Sequence, residues 1–171
     1  MFNPESHLFK ILIITLSDRA SKGEYTDRSG PEIKQLVSGF MHGTGWKNEV
    51  KTIIIPDDAI MLQKIVEEAV SENTDLIFTT GGTGIGPRDI TVDTITPMLH
   101  KQIPGIIEMI RIKYGTMKPA ALLTRAVAGI IGSTLVFTLP GSVKAVNEYC
   151  TEIFTILEHA FFMLYGIDKH K

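Results

Sequence analysis

The chain has 171 residues, of which 44% are hydrophobic, so it is long enough for one well-packed domain over residues 1–171 and short for two. Its formal charge of −2 and the absence of a long run of Lys and Arg argue against a general nucleic-acid-binding surface and favour small-molecule partners. The single cysteine, Cys150, excludes an intrachain disulfide framework and fits a reducing cytoplasm, and no apolar segment approaches the length of a membrane span.

The first half of the sequence predicts two units of a strand followed by a helix. Residues Lys10–Leu16 form a nearly continuous apolar and β-branched run, which is typical of a strand covered on both faces. A polar loop leads to a helix that is predicted to begin at Pro31 and to end at the glycines from Gly39 onward. The second unit consists of a strand over Glu49–Ile55 and a helix over Ala59–Val70.

A glycine-rich loop follows the third predicted strand, which covers Leu76–Phe78. Its glycines are Gly81, Gly82, Gly84 and Gly86. They let the backbone adopt positive φ angles and lie against a ligand, with free N–H groups for an anion. The loop matches neither a P-loop nor the dinucleotide-binding fingerprint, and by itself it leaves a structural turn and a ligand site equally open. A helix is predicted to begin at Thr91, where Asp93 is a capping candidate, so Asp89 is the better candidate for chemistry.

The second half predicts helices over Val92–Leu99 and Ile106–Tyr114, then a turn at Gly132-Ser133 that leads into a strand ending at Leu139. A long helix over Val143–Tyr165 follows, and residues 168–171 are expected to fray. Repeated strands and helices joined by short links predict an α/β fold, a single three-layer α/β/α domain with a mainly parallel sheet.

Polar residues follow several of the predicted strands. In an open parallel sheet the carboxyl ends of the strands lie along one edge where ligands bind, so residues far apart in sequence converge there. Asp18, Asp57 and Asp89 offer carboxylates for Mg²⁺. Thr83, Ser142 and the glycine N–H groups offer donors for phosphate oxygens. This set predicts phosphoryl or nucleotidyl transfer, for which two aspartates suffice because phosphates complete the magnesium shell.

Several of these residues also have simpler explanations. Asp18 could act as a cap or pair with Arg19, and either Asp57 or its neighbour Asp58 could cap the helix that follows. Lys144 could face a phosphate, although solvent exposure is the default expectation for a lysine. The lone cysteine and the only tryptophan are expected to pack in the interior. The convergence of the strand ends therefore carries more weight than any single residue.

Five ordered motifs resemble one known family. They are Ser17–Ser21, Ile55–Asp57, Thr79–Thr91, Thr124–Gly129 and Leu139–Ser142. Together they resemble the molybdenum-cofactor biosynthesis family over nearly the whole chain, above all its Mog-type molybdopterin adenylyltransferases and the related G domain of gephyrin. The resemblance implies a three-layer α/β/α fold, a homotrimer, and transfer of AMP from MgATP to the terminal phosphate of molybdopterin with release of pyrophosphate. The activated product would then receive molybdenum from a partner insertion enzyme.

The resemblance also implies roles for individual residues. Asp57 and Asp89 would be catalytic, through Mg²⁺ and the departure of pyrophosphate. The expected substrate contacts are Ser17, Asp18, Gly81, Gly82, Thr83, Gly84, Pro140, Gly141 and Ser142. Tyr114 departs from the family pattern, which leads us to expect a small hydroxyl residue there. The segment Ala126–Ser142 is similar to the MoaB-type branch, some members of which lack transferase activity, but that branch tends not to keep the aspartate at Asp57.

Two other functions stay open at this point. One is a trimeric molybdopterin-binding or carrier protein without catalysis, and the other is a generic nucleotide-binding domain that needs no pterin. The presence of both Asp57 and Asp89 favours the enzyme, because the binding of an anionic ligand gains nothing from two added carboxylates.

Overall fold

A six-stranded sheet runs through the computed structural model, which describes residues 3–167. In chain order the strands are β1 (Leu8–Leu16), β2 (Lys47–Ile55), β3 (Leu76–Thr80), β4 (Lys101–Gln102), β5 (Ala128–Ile131) and β6 (Thr134–Leu139). Across the sheet the order is β2-β1-β3-β6-β5-β4. The first four strands in this order are parallel to one another, whereas β5 and β4 are antiparallel to their neighbours.

Helices cover both faces of the sheet. They are α1 (Asp18–Ser21), α2 (Ser29–Thr44), α3 (Ala59–Ser71), α4 (Thr91–Ile95), α5 (Pro104–Met117) and α6 (Val143–Leu164). Helices α2, α5 and α6 bury apolar residues in one core, and α3 and α4 bury theirs in a second core on the opposite face. The prediction of an α/β fold with a mainly parallel sheet between helical layers is confirmed.

Alternating residues of the central strands fill the two cores. In β1, Phe9, Ile11 and Ile13 face the core of α2, α5 and α6, whereas Ile14 and Leu16 face the core of α3 and α4. Because both faces of the strand are covered, both sets of side chains are apolar, and the sequence shows no polar alternation there. This burial fixes the register of the sheet and places the ends of the parallel strands at one edge.

Aromatic residues fill much of the larger core. Phe9 stacks on Trp46 with ring centroids 4.6 Å apart, and Phe161 lies 4.9 Å from Phe9. Cys150 on α6 is fully buried in the same core, and burial raises the pKa of its thiol to about 12. The predictions that Trp46 packs in the interior and that Cys150 is buried are confirmed.

Helix α2 has different bounds from those that the sequence predicts. It begins two residues before Pro31, because the Asp27 carboxylate accepts hydrogen bonds from the first two N–H groups of the helix, at 2.9 and 3.2 Å. Of the glycines predicted to mark its end, Gly39 and Gly43 lie inside the helix, whose buried face continues past Gly39 to Met41, whereas the prediction for Gly45 is confirmed. The helix ends at Gly45, whose φ of 72° is left-handed.

The middle of the chain is more broken than predicted. Helix α4 gives way to a 3-10 turn at Thr96–Met98 that contains Pro97, which has no N–H to donate to an α-helix. Helix α5 begins at Pro104 and runs to Met117. Strand β4, helix α1 and a 3-10 turn over residues 119–123 are absent from the sequence prediction.

The predicted fraying of residues 168–171 falls outside the part of the chain that the structure describes. Among the helices of residues 3–167, none combines the length and the apolar character that crossing a membrane requires.

Candidate active site

The carboxyl ends of β1, β2, β3 and β6 meet at one edge of the sheet. Ser17, which follows β1, donates its N–H to Ile55 O at the end of β2, at 2.9 Å. Gly81, which follows β3, donates its N–H to Leu139 O at the end of β6, at 3.0 Å. A Cβ atom added at Gly141 would lie 3.2 Å from Gly81 Cα, so the loops after β3 and β6 are in close contact.

Asp18 and Asp57 form a reciprocal pair at this edge. The Asp57 N–H donates to Asp18 Oδ1 at 3.1 Å, and the Asp18 N–H donates to Asp57 Oδ2 at 3.2 Å. Arg88 joins the pair through Nη2, which lies 2.7 Å from Asp18 Oδ2 and 3.0 Å from Asp57 O. The alternative that Asp18 pairs with Arg19 is wrong, because Arg88 takes that place and Arg19 lies over the ring of Tyr25.

Asp58 caps helix α3, and Asp57 does not. Asp58 Oδ1 accepts a hydrogen bond from the Met61 N–H in the first helical turn, at 2.9 Å. Asp57 uses one carboxylate oxygen for the Asp18 N–H, and its Oδ1 accepts no hydrogen bond from residues 3–167. The helix-cap interpretation of Asp57 is therefore wrong, and its carboxylate remains available at the sheet edge.

Burial and neighbouring charges set the ionisation of the aspartates. Burial is the main cause that raises the pKa of Asp57, and the charges of Asp18 and Asp89 act in the same direction, against the hydrogen bond from the Asp18 N–H. The pKa of Asp18 is lowered, first by the hydrogen bond from the Asp57 N–H and then by Arg88. The charge of Asp89 is the smallest of these influences on the pKa of Asp57, after the hydrogen bond from Asp18 and the charges of Asp18 and Arg88.

The Asp89 carboxylate is held by its own loop. Asp89 Oδ2 accepts a hydrogen bond from the Gly86 N–H at 2.7 Å, while Oδ1 accepts none from residues 3–167. A Cβ atom at Gly84 or Gly86 would lie 2.8 or 2.9 Å from Oδ2, so a side chain at either position would displace the carboxylate from where it now lies. Asp93 does not cap α4, because it forms an ion pair with Arg125 at 2.7 Å, and that interpretation is wrong.

The glycine N–H groups are less free than the sequence suggests. Those of Gly81 and Gly86 already donate within the protein. A Cβ atom at Gly81 would collide with the last carbonyl of β1, so its φ of 100° serves close packing of the loop on the sheet. Within residues 3–167, the N–H groups of Gly82, Thr83 and Gly84 donate to no acceptor. Of the four glycine N–H groups expected to bind an anion, those of Gly82 and Gly84 remain available, together with the N–H of Thr83 between them.

The hydroxyl groups at the site have structural partners. The side chains of Ser17 and Ser142 cap α1 and α6, each accepting an N–H from the first helical turn at 3.2 Å. The N-terminus of the 22-residue helix α6 therefore lies at the sheet edge, where its dipole and N–H groups favour an anion. Thr83 is buried with its Oγ1 3.3 Å from Thr124 Oγ1, and its carbonyl accepts the Arg125 N–H, so only its backbone N–H is left without a partner within residues 3–167.

A cavity of about 190 Å³ opens between α5 and the start of α6. Its lining includes Pro140, Ser142, Thr124 and the basic residues Arg111, Lys118 and Lys144. Arg111 Nε is buried and has no hydrogen-bond partner within residues 3–167. Lys144 is largely exposed and lies 3.7 Å from Glu148 Oε1. Sequence reasoning missed Arg111 and Lys118, because no motif marks them and only the packing of α5 brings them to the site.

Tyr114 also lines this cavity. Its hydroxyl donates to Glu152 Oε1 at 2.8 Å, and Lys113 Nζ donates to the same oxygen at 2.6 Å. Burial, together with the hydrogen bond to Glu152, raises the pKa of Tyr114 to about 12. The hydroxyl is therefore protonated at neutral pH and engaged by α6.

The oxygen donors at the sheet edge suit Mg²⁺. This cation prefers oxygen ligands and is commonly held by one or two carboxylates together with substrate phosphates. Asp57 and Asp89 each keep one carboxylate oxygen that accepts no hydrogen bond from residues 3–167. Within the same range no group of three or more His, Cys, Asp or Glu side chains could hold a metal ion. The donor set fits a cation that arrives with phosphates.

Comparisons with known proteins place the chain in a family. A family model described as a probable molybdopterin-binding domain matches residues 12–159. A molybdopterin adenylyltransferase from Pyrococcus furiosus is 41% identical over 161 residues, which cover 89% of this chain and 91% of that protein.

Two crystal structures extend the comparison to the fold. The molybdopterin biosynthesis enzyme MoaB from Thermus thermophilus gives a TM-score of 0.82 at 34% identity, over 92% of this chain and 97% of that one. The tungsten cofactor synthesizing protein MoaB from Pyrococcus furiosus gives a TM-score of 0.80 at 36% identity, over 94% of this chain and 98% of that one. The match of sequence and fold confirms the resemblance, and the chain belongs to the molybdenum cofactor biosynthesis family.

Proposed function

We propose that this protein is a molybdopterin adenylyltransferase that transfers AMP from ATP to molybdopterin with the help of Mg²⁺ and releases pyrophosphate. The activity is the one for which the Pyrococcus furiosus relative is named. One observation carries the proposal: Asp57 and Asp89 keep their carboxylates at the sheet edge, and neither caps a helix. Carboxylates that remain available in this way support a site that holds a cation, which offsets the charge of the substrate phosphates.

Adenylyl transfer brings two anions together. An oxygen of the molybdopterin phosphate bonds to the α-phosphorus of ATP, and the bond from that phosphorus to the oxygen of the departing pyrophosphate breaks. The N–H groups of Gly82, Thr83 and Gly84 and the N-terminus of α6 can donate to phosphate oxygens during this exchange. Because the fold fixes these donors in advance, they offset charge without reorganising.

Asp57 and Asp89 would hold Mg²⁺ with their available carboxylate oxygens. When bound, the cation offsets the negative charge of the triphosphate and of the departing pyrophosphate. Asp18 would orient Asp57, since each carboxylate accepts the N–H of the other residue. Arg88, which contacts both residues, would keep the pair together.

The cavity between α5 and α6 is proposed to receive the pterin substrate. The phosphate of molybdopterin is anionic, and Arg111, Lys118 and Lys144 give the lining a positive charge that Glu148 offsets only in part. Ser142, which caps α6, is part of the lining, so the N-terminus of this helix borders the cavity. A phosphate there would lie between the basic lining and the helix dipole.

The assembly and location of the protein are further parts of the proposal. We propose a homotrimer that works in the cytoplasm and passes its product to an enzyme that inserts molybdenum. A mostly apolar groove of about 660 Å³ between α5 and α6, on which Met109 and Met163 are exposed, supports an assembly surface. Analytical ultracentrifugation should give the mass of three chains, and a monomeric mass would contradict the trimer.

Incubation of the pure protein with Mg²⁺, ATP labelled at the α-phosphate, and molybdopterin tests the proposed activity. We expect label on the pterin and release of pyrophosphate, both of which should be lost in Asp57→Asn. Asp58→Asn is the matched control, because it changes the adjacent carboxylate that caps α3. Tight pterin binding without label transfer would favour a non-catalytic carrier. ATP binding without any effect of pterin would favour a generic nucleotide-binding domain.

A further inference from the structure

The segment between β3 and α4 carries Asp89 but contains no helix or strand. Its middle is exposed, with 71% of the surface of Ile85 accessible. A glycine-rich exposed segment has large conformational freedom, and the Gly86 N–H that holds the Asp89 carboxylate belongs to the same segment. Contacts from outside the segment are therefore needed to fix where Asp89 stands.

Arg125, which precedes β5, supplies such contacts along the whole segment. Its N–H donates to Thr83 O at 2.8 Å, and its Nε donates to Gly84 O at 2.7 Å. Its Nη2 donates to Asp89 O at 2.8 Å. The same guanidinium makes two bonds to the Asp93 carboxylate, at 2.7 and 3.0 Å. One residue thus ties the start of the segment to its end.

We infer that Arg125 is a positioning residue that holds Asp89 in place for adenylyl transfer, an inference that rests on the proposed function. The Arg125 guanidinium donates a hydrogen bond to the backbone carbonyl of Asp89, which leaves the carboxylate of Asp89 for the reaction. A planar guanidinium can serve two carbonyls and a carboxylate at once, and a lysine ammonium lacks that fixed fork.

An ordinary ion pair between Arg125 and Asp93 is the competing explanation. Asp93 is largely exposed, and exposed pairs contribute little by themselves. The two explanations differ in what Asp93→Asn does. It removes the charge of the pair but keeps the bonds from Arg125 to Gly84 O and Asp89 O, so a positioning role should survive this change.

The test compares Arg125→Lys, Arg125→Gln and Asp93→Asn with the control Lys64→Gln, which removes an exposed ion pair on α3. The label-transfer assay gives kcat and KM for ATP, and hydrogen exchange reports on the amides of residues 84–90. We expect both Arg125 variants to lose about 30- to 100-fold in kcat, the scale of a catalytic group misplaced by about 1 Å. KM should change far less, amide exchange in residues 84–90 should rise, and Asp93→Asn should stay close to wild type.

Several results would overturn the inference. These are wild-type kcat in the Arg125 variants, an equal loss in Asp93→Asn, or a loss of kcat with unchanged exchange in residues 84–90. If Arg125→Gln does not fold, Arg125→Lys carries the same comparison. If the wild-type protein shows no adenylyl transfer, the proposed function fails separately. Exchange then decides the anchoring by itself, since faster exchange supports it and unchanged exchange refutes it.

Discussion

Asp75 and Asp57 lie at opposite ends of two parallel strands, β3 and β2, that flank β1, and their surroundings differ sharply. Asp75 precedes β3 and is 3% exposed, and its carboxylate accepts hydrogen bonds from the Lys10 N–H, from His7 Nε2 and from the Tyr165 hydroxyl. Asp57 follows β2, is half-buried, and receives one hydrogen bond on its carboxylate from residues 3–167. An aspartate carboxylate thus accepts several hydrogen bonds at one end of the sheet, whereas another keeps an oxygen available at the opposite end.

The difference shows how the fold separates stability from chemistry. At the amino ends of the strands, a buried carboxylate with several donors joins the first and last elements of the described chain. At the carboxyl ends, Asp57 and Asp89 each keep an oxygen free of hydrogen bonds from residues 3–167, and burial with like charges raises the pKa of Asp57. The number of hydrogen bonds that an aspartate carboxylate accepts therefore distinguishes the structural aspartate from the aspartates available for chemistry.

Neutralising the aspartates at the carboxyl ends should have the largest effect. Asp57→Asn or Asp89→Asn is expected to lower kcat by about 100-fold or more, the scale of losing a preorganised electrostatic contact. The free energy of unfolding should hardly change, because each carboxylate accepts only one hydrogen bond from the described residues. Label transfer and urea denaturation measure the two quantities, and near wild-type turnover in both variants would remove these residues from the mechanism.

The reverse outcome is expected for Asp75→Asn. An amide nitrogen would face donors in a buried site, so the free energy of unfolding should fall by about 2–4 kcal/mol. The kcat of the folded protein should be retained, because Asp75 lies at the end of the sheet away from the proposed site. Urea denaturation followed by the assay under folding conditions tests this, and a selective loss of kcat would invalidate the division between the two ends.

Asp58→Ala sharpens the comparison within a pair of adjacent residues. It should lower the free energy of unfolding by about 1 kcal/mol, because the first turn of α3 loses its cap. Turnover should match wild type, in contrast to Asp57→Asn. If Asp58→Ala reduced turnover as strongly as Asp57→Asn, the chemistry could not be assigned to Asp57 alone.

A substitution at Glu152 should have the smallest effect on the free energy of unfolding, and this effect should depend on pH. The pKa of this buried carboxyl lies below its ordinary value of 4.5, chiefly because Lys113 donates a hydrogen bond to it. The ionised group therefore stabilises the fold above that value, and the contribution is lost as the pH falls through the folded-state pKa. Glu152→Gln should be less stable than wild type at neutral pH, and the difference should shrink in acid. A constant difference across urea titrations would contradict this linkage.

Sequence reasoning predicted the layers of the fold and the convergence of the parallel strand ends at one edge of the sheet. The apolar run of β1 and the glycines after β3 are local signals, and the edge rule for parallel sheets brings Asp18, Asp57 and Asp89 together. The sequence could not decide whether Asp57 or Asp58 caps α3, because adjacent residues are equally well placed until the end of β2 is fixed in space.

Other parts of the site depend on tertiary contacts that no local pattern encodes. The N–H groups of Gly81 and Gly86 reach their acceptors, Leu139 O and the Asp89 carboxylate, only after the loop has folded. Arg111 reaches the cavity through the packing of α5. Arg125 contacts four residues that lie 32 to 42 positions earlier in the chain, Thr83, Gly84, Asp89 and Asp93. Such residues lie outside what spacing and composition can predict.

The burial of Cys150 makes the protein convenient for site-directed labelling. The chain has no other cysteine, and this thiol is inaccessible and weakly acidic, so thiol reagents should leave the folded protein unmodified. A cysteine introduced at the exposed position Ile85 would then be the sole reactive thiol. A fluorophore or spin label attached there would report directly on the loop that carries Asp89, in solution and during turnover.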